Sequence, residues 1–297
     1  MLPSSFVSQW SQLAPTACSV AAVFVWGASD FAGGYGSRRA NAFVFTAFAH
    51  ACAFVWMSAI ALGSHASLPN AVSMLWAIIA GAIGGFSLAI FYGALAQGHM
   101  GLSAPIAALL GASIPTMVDI ALQGAPSRWT LIGFALAILA IWLITRPEPQ
   151  AGTESNETTE TGAPKGVAAA ALAGVGFAGF YLCIHQAGGS PIWDAAISRV
   201  GSFTATLIAV IAIKPSLRLN RPTLALGLFA GFFDVSGTAL FIFANQHGRL
   251  DEAVVITSLY PAVTVLLARL VLKEHFSRWK FVGLLTALAA VPLIAAG

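Results

Sequence analysis

Four residues that can carry a charge lie inside long apolar runs of this sequence. They are Asp30, His50, Arg199 and Asp234. A charged side chain in the hydrocarbon of a membrane costs about 3 kcal/mol or more, so such residues are candidates for function. A buried acid keeps its proton unless a cation lies beside it, and we predict Asp30, Asp234 and His50 as proton carriers. The structural alternative is that Arg199 pairs with Asp30 or Asp234 and ties helices together.

Trp26 precedes Asp30 by four residues, which places both side chains on one face of a helix. An aromatic ring beside a carboxylate suits a cationic or amphipathic ligand. With these two we group six further residues as predicted substrate contacts: Tyr92, Tyr181, Arg199, Asn245, Ser258 and Tyr260. Proline frees backbone carbonyls, and interrupted helices often line cavities in membrane proteins. We therefore predict helix breaks at Pro105, Pro115 and Pro261.

The composition indicates the environment in which these residues must act. The chain has 297 residues, of which 58% are hydrophobic and 8% charged, and its mean hydropathy is +0.83. A soluble domain has about a quarter charged residues, so the composition predicts a polytopic all-α membrane protein. The basic residues are scattered over loops, which argues against a nucleic-acid partner. The three cysteines show no metal-ligand spacing, and we predict neither a metal nor a cofactor.

Ten apolar runs are long enough to cross the hydrocarbon as helices. The polar segment 146–165 separates them into two sets of five. It has four Glu, three Pro and no large apolar residue, so it cannot bury enough surface to fold and is predicted to be a flexible linker. The predicted domains are residues 1–145 and 166–297, each a five-helix unit.

The two units also repeat in sequence. SRWTLIGFALAILAIWLI at 127–144 and SRWKFVGLLTALAAVPLI at 277–294 share eight of 18 positions at an offset of 150 residues. Because five is odd, the second unit must enter the membrane from the opposite side. The sequence therefore predicts two inverted five-helix repeats, an arrangement found in transporters, with the substrate site between them.

The last third of the chain contains Ser258-Leu259-x-Pro261, Glu274 and a final Leu293-Ile294-x-x-Gly297, and the first apolar run contains Trp26-Gly27. These motifs resemble those of the EamA-type carriers of the drug/metabolite transporter superfamily, in which Trp-Gly marks the start of the first helix. The resemblance implies a ten-helix carrier with an arginine at the Arg199 position. In the first unit, glycine occupies the positions that correspond to Pro261 and Glu274.

These observations predict a secondary transporter that moves a small metabolite by alternating access, with export as the expected direction and proton coupling as a hypothesis. An amino acid or an amphipathic compound suits the aromatic and acidic candidates. An uptake permease of the same fold is the alternative. An intramembrane enzyme is a weaker one, because the sequence has neither HExxH nor paired acidic motifs. The expected partners are the substrate and the lipid bilayer, and the sequence is compatible with a monomer or a homodimer.

The distribution of Lys and Arg predicts the orientation in the cell (inner) membrane. Ten of these residues lie in the connections after the odd-numbered spans, and two, Arg128 and Arg249, lie in the even-numbered connections and the termini. Cytoplasmic loops are the Lys/Arg-rich ones. The charge bias therefore predicts that both termini lie outside.

Overall fold

The computed structural model describes residues 4–97, 100–145, 166–272 and 277–295, and in these ranges the chain is helical with no strand. The N-terminal half contains α1 (Ser4–Ser37), α2 (Ala42–Gly63), α3 (Ala71–Ala96), α4 (Met100–Gln123) and α5 (Arg128–Thr145). The C-terminal half contains α6 (Val167–His185), α7 (Pro191–Ile213), α8 (Arg221–His247), α9 (Leu250–Thr257), α10 (Tyr260–Leu272) and α11 (Arg278–Ala295).

Eight stretches of the described residues are long and apolar enough to cross a membrane. They are Leu13–Ser37, Ala42–Gly63, Ala71–Ala96, Ile106–Gln123, Val167–His185, Pro191–Ile213, Arg221–His247 and Leu250–Leu272. A further apolar helix, Arg128–Ile144, is shorter. The expectation of an all-helical membrane protein is confirmed, while the count of ten spans and their inverted arrangement stay predictions.

Short polar side chains begin several of these helices at equivalent places in the two halves. The Asn70 side chain accepts a hydrogen bond from the Ser73 N–H at 2.9 Å, and Asn220, 150 residues later, accepts one from the Thr223 N–H at 3.0 Å. Ser127 and Ser277 likewise accept bonds from N–H groups in the first turns of α5 and α11. Such caps satisfy donors that helix starts leave without a partner. The repeated SRW phrase therefore contains a helix cap.

The principal helix contacts join one half of the chain to the other. Helix α1 packs on α8, α3 on α6 and α7, α2 on α7 and α8, α4 on α6 and α9, and α5 on α11. Most of these contacts occur twice, once for each half. The contact of α1 with α8, for example, has its counterpart in the contact of α6 with α3, since α6 occupies the place of α1 in the second half and α3 the place of α8 in the first. The buried core therefore lies between the halves, rather than separately within each.

Glycines allow these helix backbones to approach closely. A Cβ atom on Gly81 of α3 would overlap the Ser198 carbonyl of α7, and one on Gly231 of α8 would overlap the Ala49 carbonyl of α2. The pair α5 and α11 shows the same relation, since a Cβ on Gly133 would lie 3.1 Å from the Ala290 oxygen. In lipid there is no hydrophobic driving force for helix association, so helices associate through the close packing that small residues at the contact allow.

Proline affects only one of the two spans in which helix breaks were predicted. At Pro261 the helical path is interrupted, because Ser258 and Leu259 form a turn between α9 and α10. Helix α4, in contrast, runs from Met100 to Gln123 without interruption, and the predicted breaks at Pro105 and Pro115 are wrong. A single missing N–H can be tolerated when the neighbouring backbone keeps its helical bonds.

The predicted linker, residues 146–165, and Glu274 lie outside the described residues. The division into units 1–145 and 166–297 stays a prediction.

Substitution of the contact glycines should destabilise the protein. We expect Gly81→Ala and Gly231→Ala each to lower the free energy of unfolding by about 1–3 kcal/mol, because the added methyl group overlaps a backbone carbonyl of the other half. The measurement is thermal unfolding of the purified protein in detergent. Gly63→Ala is the matched control, since nothing lies within 4 Å of a Cβ at that position, and equal midpoints for all three variants would contradict the packing argument.

Candidate functional site

A cavity lies between the two halves of the chain. Its lining comes from α1, α2, α3, α6, α7, α8 and α10, so both halves contribute. Seven of the residues singled out in the sequence line it: Trp26, Asp30, His50, Tyr181, Arg199, Asp234 and Tyr260.

Arg199 forms a buried ion pair with Asp234 across α7 and α8. Its Nη1 donates to Asp234 Oδ2, its Nη2 donates to Thr238 Oγ1 at 2.9 Å, and its Nε donates to Ser198 Oγ at 3.3 Å. His50 Nδ1 lies 3.9 Å from the same Asp234 oxygen. Of the two structural alternatives raised by the sequence, the structure therefore contains the Arg199–Asp234 pair. This pair joins helices, and it also lines the cavity.

Asp30 differs from Asp234 because no described residue forms a salt bridge with it. Its side chain is 6% exposed and adjoins the Tyr92 hydroxyl. Tyr92 in turn lies 3.1 Å from Ser29 Oγ, and Ser29 donates to the Ala230 carbonyl at 2.9 Å. Tyr92 is not among the lining residues, so its position is behind Asp30, where it supports the carboxylate.

Aromatic rings form one wall of the cavity. The ring centroids of Trp26 and Tyr181 are 6.1 Å apart, and those of Tyr181 and Phe241 are 4.8 Å apart. Trp26 Nε1 donates to the Asp234 backbone carbonyl at 3.1 Å, which fixes the orientation of the indole. Gly237 makes room for this ring, since a Cβ there would lie 2.6 Å from the indole.

Sequence reasoning did not identify two aromatic residues in the lining. Phe177 and Phe180 precede Tyr181 on α6 and line the cavity with it. The spacing i, i+3, i+4 puts all three on one helix face, and this pattern was the available signal. Phe241 touches Trp26 and Tyr181 from α8 and has no comparable signal in its own helix.

Besides Tyr92, two predicted substrate contacts are not among the residues that line the cavity. Asn245 is near the end of α8, where its Oδ1 hydrogen-bonds His185 Nδ1 at 2.7 Å. Ser258 donates to the Val255 carbonyl at 2.7 Å and lines a separate apolar groove between α4, α5 and α9. Neither residue lines the cavity between the halves, and their role as substrate contacts stays a prediction.

Two buried polar atoms in the lining have no hydrogen-bond partner among the described residues. They are His50 Nε2 and the Tyr260 hydroxyl. A buried polar atom without a partner costs about 1–3 kcal/mol. Both residues line the cavity, so a ligand or water bound there is a candidate partner for these atoms.

Comparison with known proteins agrees with this fold. Residues 164–296 match the EamA-like transporter family. The matched residues lie in the C-terminal half of the chain, which is thus similar to a family of the drug/metabolite transporter superfamily. The resemblance noted in the last third of the sequence is thereby confirmed. The EamA-like half includes Arg199, Asp234 and Tyr260, whereas Trp26, Asp30 and His50 precede it.

Among curated proteins none matched the chain. A solved crystal structure, described only as that of a protein, superimposes with a TM-score of 0.70 at 14% identity. The superposition covers 94% of this chain and 95% of the other. At that identity the likeness shows the fold alone, and it extends over both halves.

Removal of either partner of the buried ion pair should be costly, and removal of both less so. We expect Arg199→Met and Asp234→Asn each to lower the free energy of unfolding by about 3 kcal/mol, because one charge is left buried without its partner. The double variant should be more stable than either single one, as measured by thermal unfolding in detergent. Arg39→Met, at an exposed arginine, is the control. Strictly additive losses would show that the two side chains do not interact.

Proposed function

We propose that the protein is a secondary transporter that moves a small metabolite across the cell (inner) membrane by alternating access. The observation that carries this proposal is the cavity between the two halves, which combines an aromatic wall with Asp30, His50, Arg199 and Asp234. The match of residues 164–296 to the EamA-like transporter family supports this proposal.

The proposed mechanism depends on two inverted five-helix repeats. Support comes from the equivalent contacts of the halves: Gly133 of α5 faces Ala290 of α11, and Gly283 of α11 faces Ala140 of α5, with each position shifted by 150 residues. When two units share one fold in opposite orientations, exchange of their conformations moves the opening from one face of the membrane to the other. The site between them then meets each side in turn.

A polar cluster supports closure at one end of the bundle in this conformation. Arg249, between α8 and α9, donates to both carboxylate oxygens of Asp251 at 3.0 and 2.9 Å and to the Gly124 carbonyl at 3.0 Å. Asp119 of α4 accepts the Asp251 N–H at 3.1 Å. These contacts join the end of α4 to the α8–α9 connection, so we propose that they separate when this end opens.

The substrate that we propose is an amino acid or another amphipathic compound. The aromatic wall provides apolar contact, and Asp30 provides a negative group. Phosphorylated anions fit poorly, because Arg199 is the deep cation of the lining and is already paired with Asp234. We propose export as the direction of transport. An uptake permease of the same fold is the alternative, and the sidedness of substrate flux in vesicles distinguishes the two.

The proposed coupling ion is a proton, and the proposed carrier is Asp30. A carboxylic acid without a cationic partner in an apolar site takes up a proton readily, and it releases that proton when a cation or water reaches it. Asp234 and His50 are the other candidates, but Asp234 already has Arg199 as its partner. Asp30 is therefore the group best placed to exchange a proton for substrate.

Asp30→Asn should abolish flux driven by a proton gradient in proteoliposomes and leave counterflow partly intact, because substrate exchange needs no net proton transfer. The substrate for this assay is chosen by a thermal-shift screen of amino acids and common metabolites, since a ligand of the folded state raises its stability. Asp194→Asn is the matched control, as Asp194 is buried but bonds the Gly189 N–H outside the cavity. Unchanged gradient-driven flux in Asp30→Asn would refute the assignment.

A reporter fused after Gly297 should give an extracytoplasmic signal, because the Lys/Arg-rich connections lie at the opposite face from both termini. The measurement is a paired alkaline phosphatase and fluorescent-protein fusion in cells. A second fusion after Lys214, in the connection between α7 and α8, should give the opposite signal. A cytoplasmic signal at Gly297 would overturn the proposed orientation.

A further inference from the structure

One carboxyl group of the cavity lining has no cationic partner within the protein. Asp30, Asp234, Arg199 and His50 are its acidic and basic side chains. The Arg199 guanidinium forms its ion pair with Asp234, and no described residue forms a salt bridge with Asp30. The lining therefore has one carboxyl group more than it has permanent cations, and a ligand cation can pair with that group in its ionised form.

We infer that the cavity binds amphipathic amines, that is, a protonated amino group on an aromatic or apolar body, in preference to amino acids. This inference rests on the proposed function in taking the cavity as the substrate site. The amino group lies against Asp30, and the apolar body lies against the aromatic wall of Trp26 and Tyr181. This inference narrows the proposed substrate class to amines, because an amino acid carries a carboxylate in addition to its amino group.

A ligand carboxylate finds no ready cationic partner in this cavity. Arg199 uses Nε, Nη1 and Nη2 for Ser198, Asp234 and Thr238. A second carboxylate near Arg199 would lie close to Asp234 and would be repelled by it. Like charges in a site of low dielectric constant oppose each other strongly.

The interrupted helix at the cavity offers little to an anion either. Helix N-termini bind carboxylates through N–H groups that have no partner. At the α9–α10 turn, the N–H groups of Ser258, Leu259 and Ala262 bond to Val254, Ile256 and Leu259 at 2.9, 3.1 and 3.0 Å, and Pro261 has no N–H. The donors at this break are therefore largely occupied, unlike those of a helix start that accepts an anion.

The same surroundings favour a cation. Trp26 and Asp30 lie one helical turn apart on α1 and both line the cavity, so an ammonium group beside Asp30 lies near the Trp26 indole. A cation over an aromatic ring gains about 0.5–2 kcal/mol, more when water is excluded. The Tyr260 hydroxyl, which has no hydrogen-bond partner among the described residues, can accept one N–H of the ligand. Each of these groups acts on the amino end of the ligand.

A matched ligand series tests the inference on the unmodified protein. Phenethylamine, phenylalanine and 3-phenylpropionate share a phenyl body and differ in their charged groups, and tryptamine, tryptophan and indole-3-propionate repeat the comparison with a larger body. Binding to the purified chain is measured by calorimetry and by thermal shift at neutral pH. We expect each amine to bind at least about tenfold more tightly than its amino acid, which corresponds to about 1.4 kcal/mol, and neither acid to bind.

Two variants connect the preference to Asp30. Asp30→Asn should weaken amine binding about tenfold or more, whereas Asp194→Asn, at a buried carboxylate outside the cavity, should leave it unchanged. Amino acids that bind as tightly as the amines, measurable binding of the acids, or no binding by either amine would overturn the inference. If Asp30→Asn does not fold, the wild-type series still decides.

Flux measurements separate this inference from the proposed function. Amine binding without saturable flux in proteoliposomes would support the ligand class and refute the transporter. Saturable flux of an amino acid without amine binding would support the transporter and refute the ligand class.

Discussion

The close approach of helix backbones from opposite halves of the chain is the constraint on which the rest of the structure depends. Inside a membrane, burial of apolar surface away from lipid provides no hydrophobic free energy, so helix association depends on tight packing. Gly81 and Gly231 let α3 reach the Ser198 carbonyl of α7 and α8 reach the Ala49 carbonyl of α2. These two contacts flank the cavity. His50 and Arg199, which directly follow Ala49 and Ser198 in the chain, are brought to its lining.

The cavity acquires its electrostatic character from an unequal contribution of the two halves. Arg199 and Asp234 both come from the C-terminal half and neutralise each other, while Asp30 comes from the N-terminal half. In the equivalent spans, His50 corresponds to Arg199 at a shift of 149 residues and Gly84 corresponds to Asp234 at 150. The C-terminal half thus contributes an ion pair to the cavity lining, and the N-terminal half contributes a carboxyl group without an ion pair. This asymmetry separates the roles of the two aspartates.

Much of the fold could be predicted because membrane helices obey strong local rules. Apolar length predicts spans, since backbone groups in lipid must bond within their own helix. The behaviour of proline was harder to predict, because α4 tolerates two prolines where the turn before Pro261 interrupts the helix. Whether a helix accommodates proline depends on its neighbours, which a sequence does not display.

Among the candidate residues, Trp26 and Asp30 could be grouped from sequence, since four residues make one helical turn. Asn245, a polar residue near the end of its span, and Ser258, beside Pro261, were grouped with them, yet their side chains hydrogen-bond His185 and Val255 away from the cavity lining. Phe177 and Phe180 were not identified, because in an apolar helix a phenylalanine that lines a cavity does not differ in hydrophobicity from one that faces lipid. For a membrane helix whose sides are all apolar, burial cannot be inferred from hydrophobicity.

The sequence by itself determined the class of the protein, the positions of its helices and the presence of charged groups within them. These follow from hydropathy, which acts locally and is additive along the chain. Only the tertiary structure decided that Arg199 pairs with Asp234, and that Asp30 lies in the cavity lining without an ion pair. Distance between side chains on different helices determines such pairing. That distance is set by how glycines and aromatic rings pack across the two halves, which no single helix specifies.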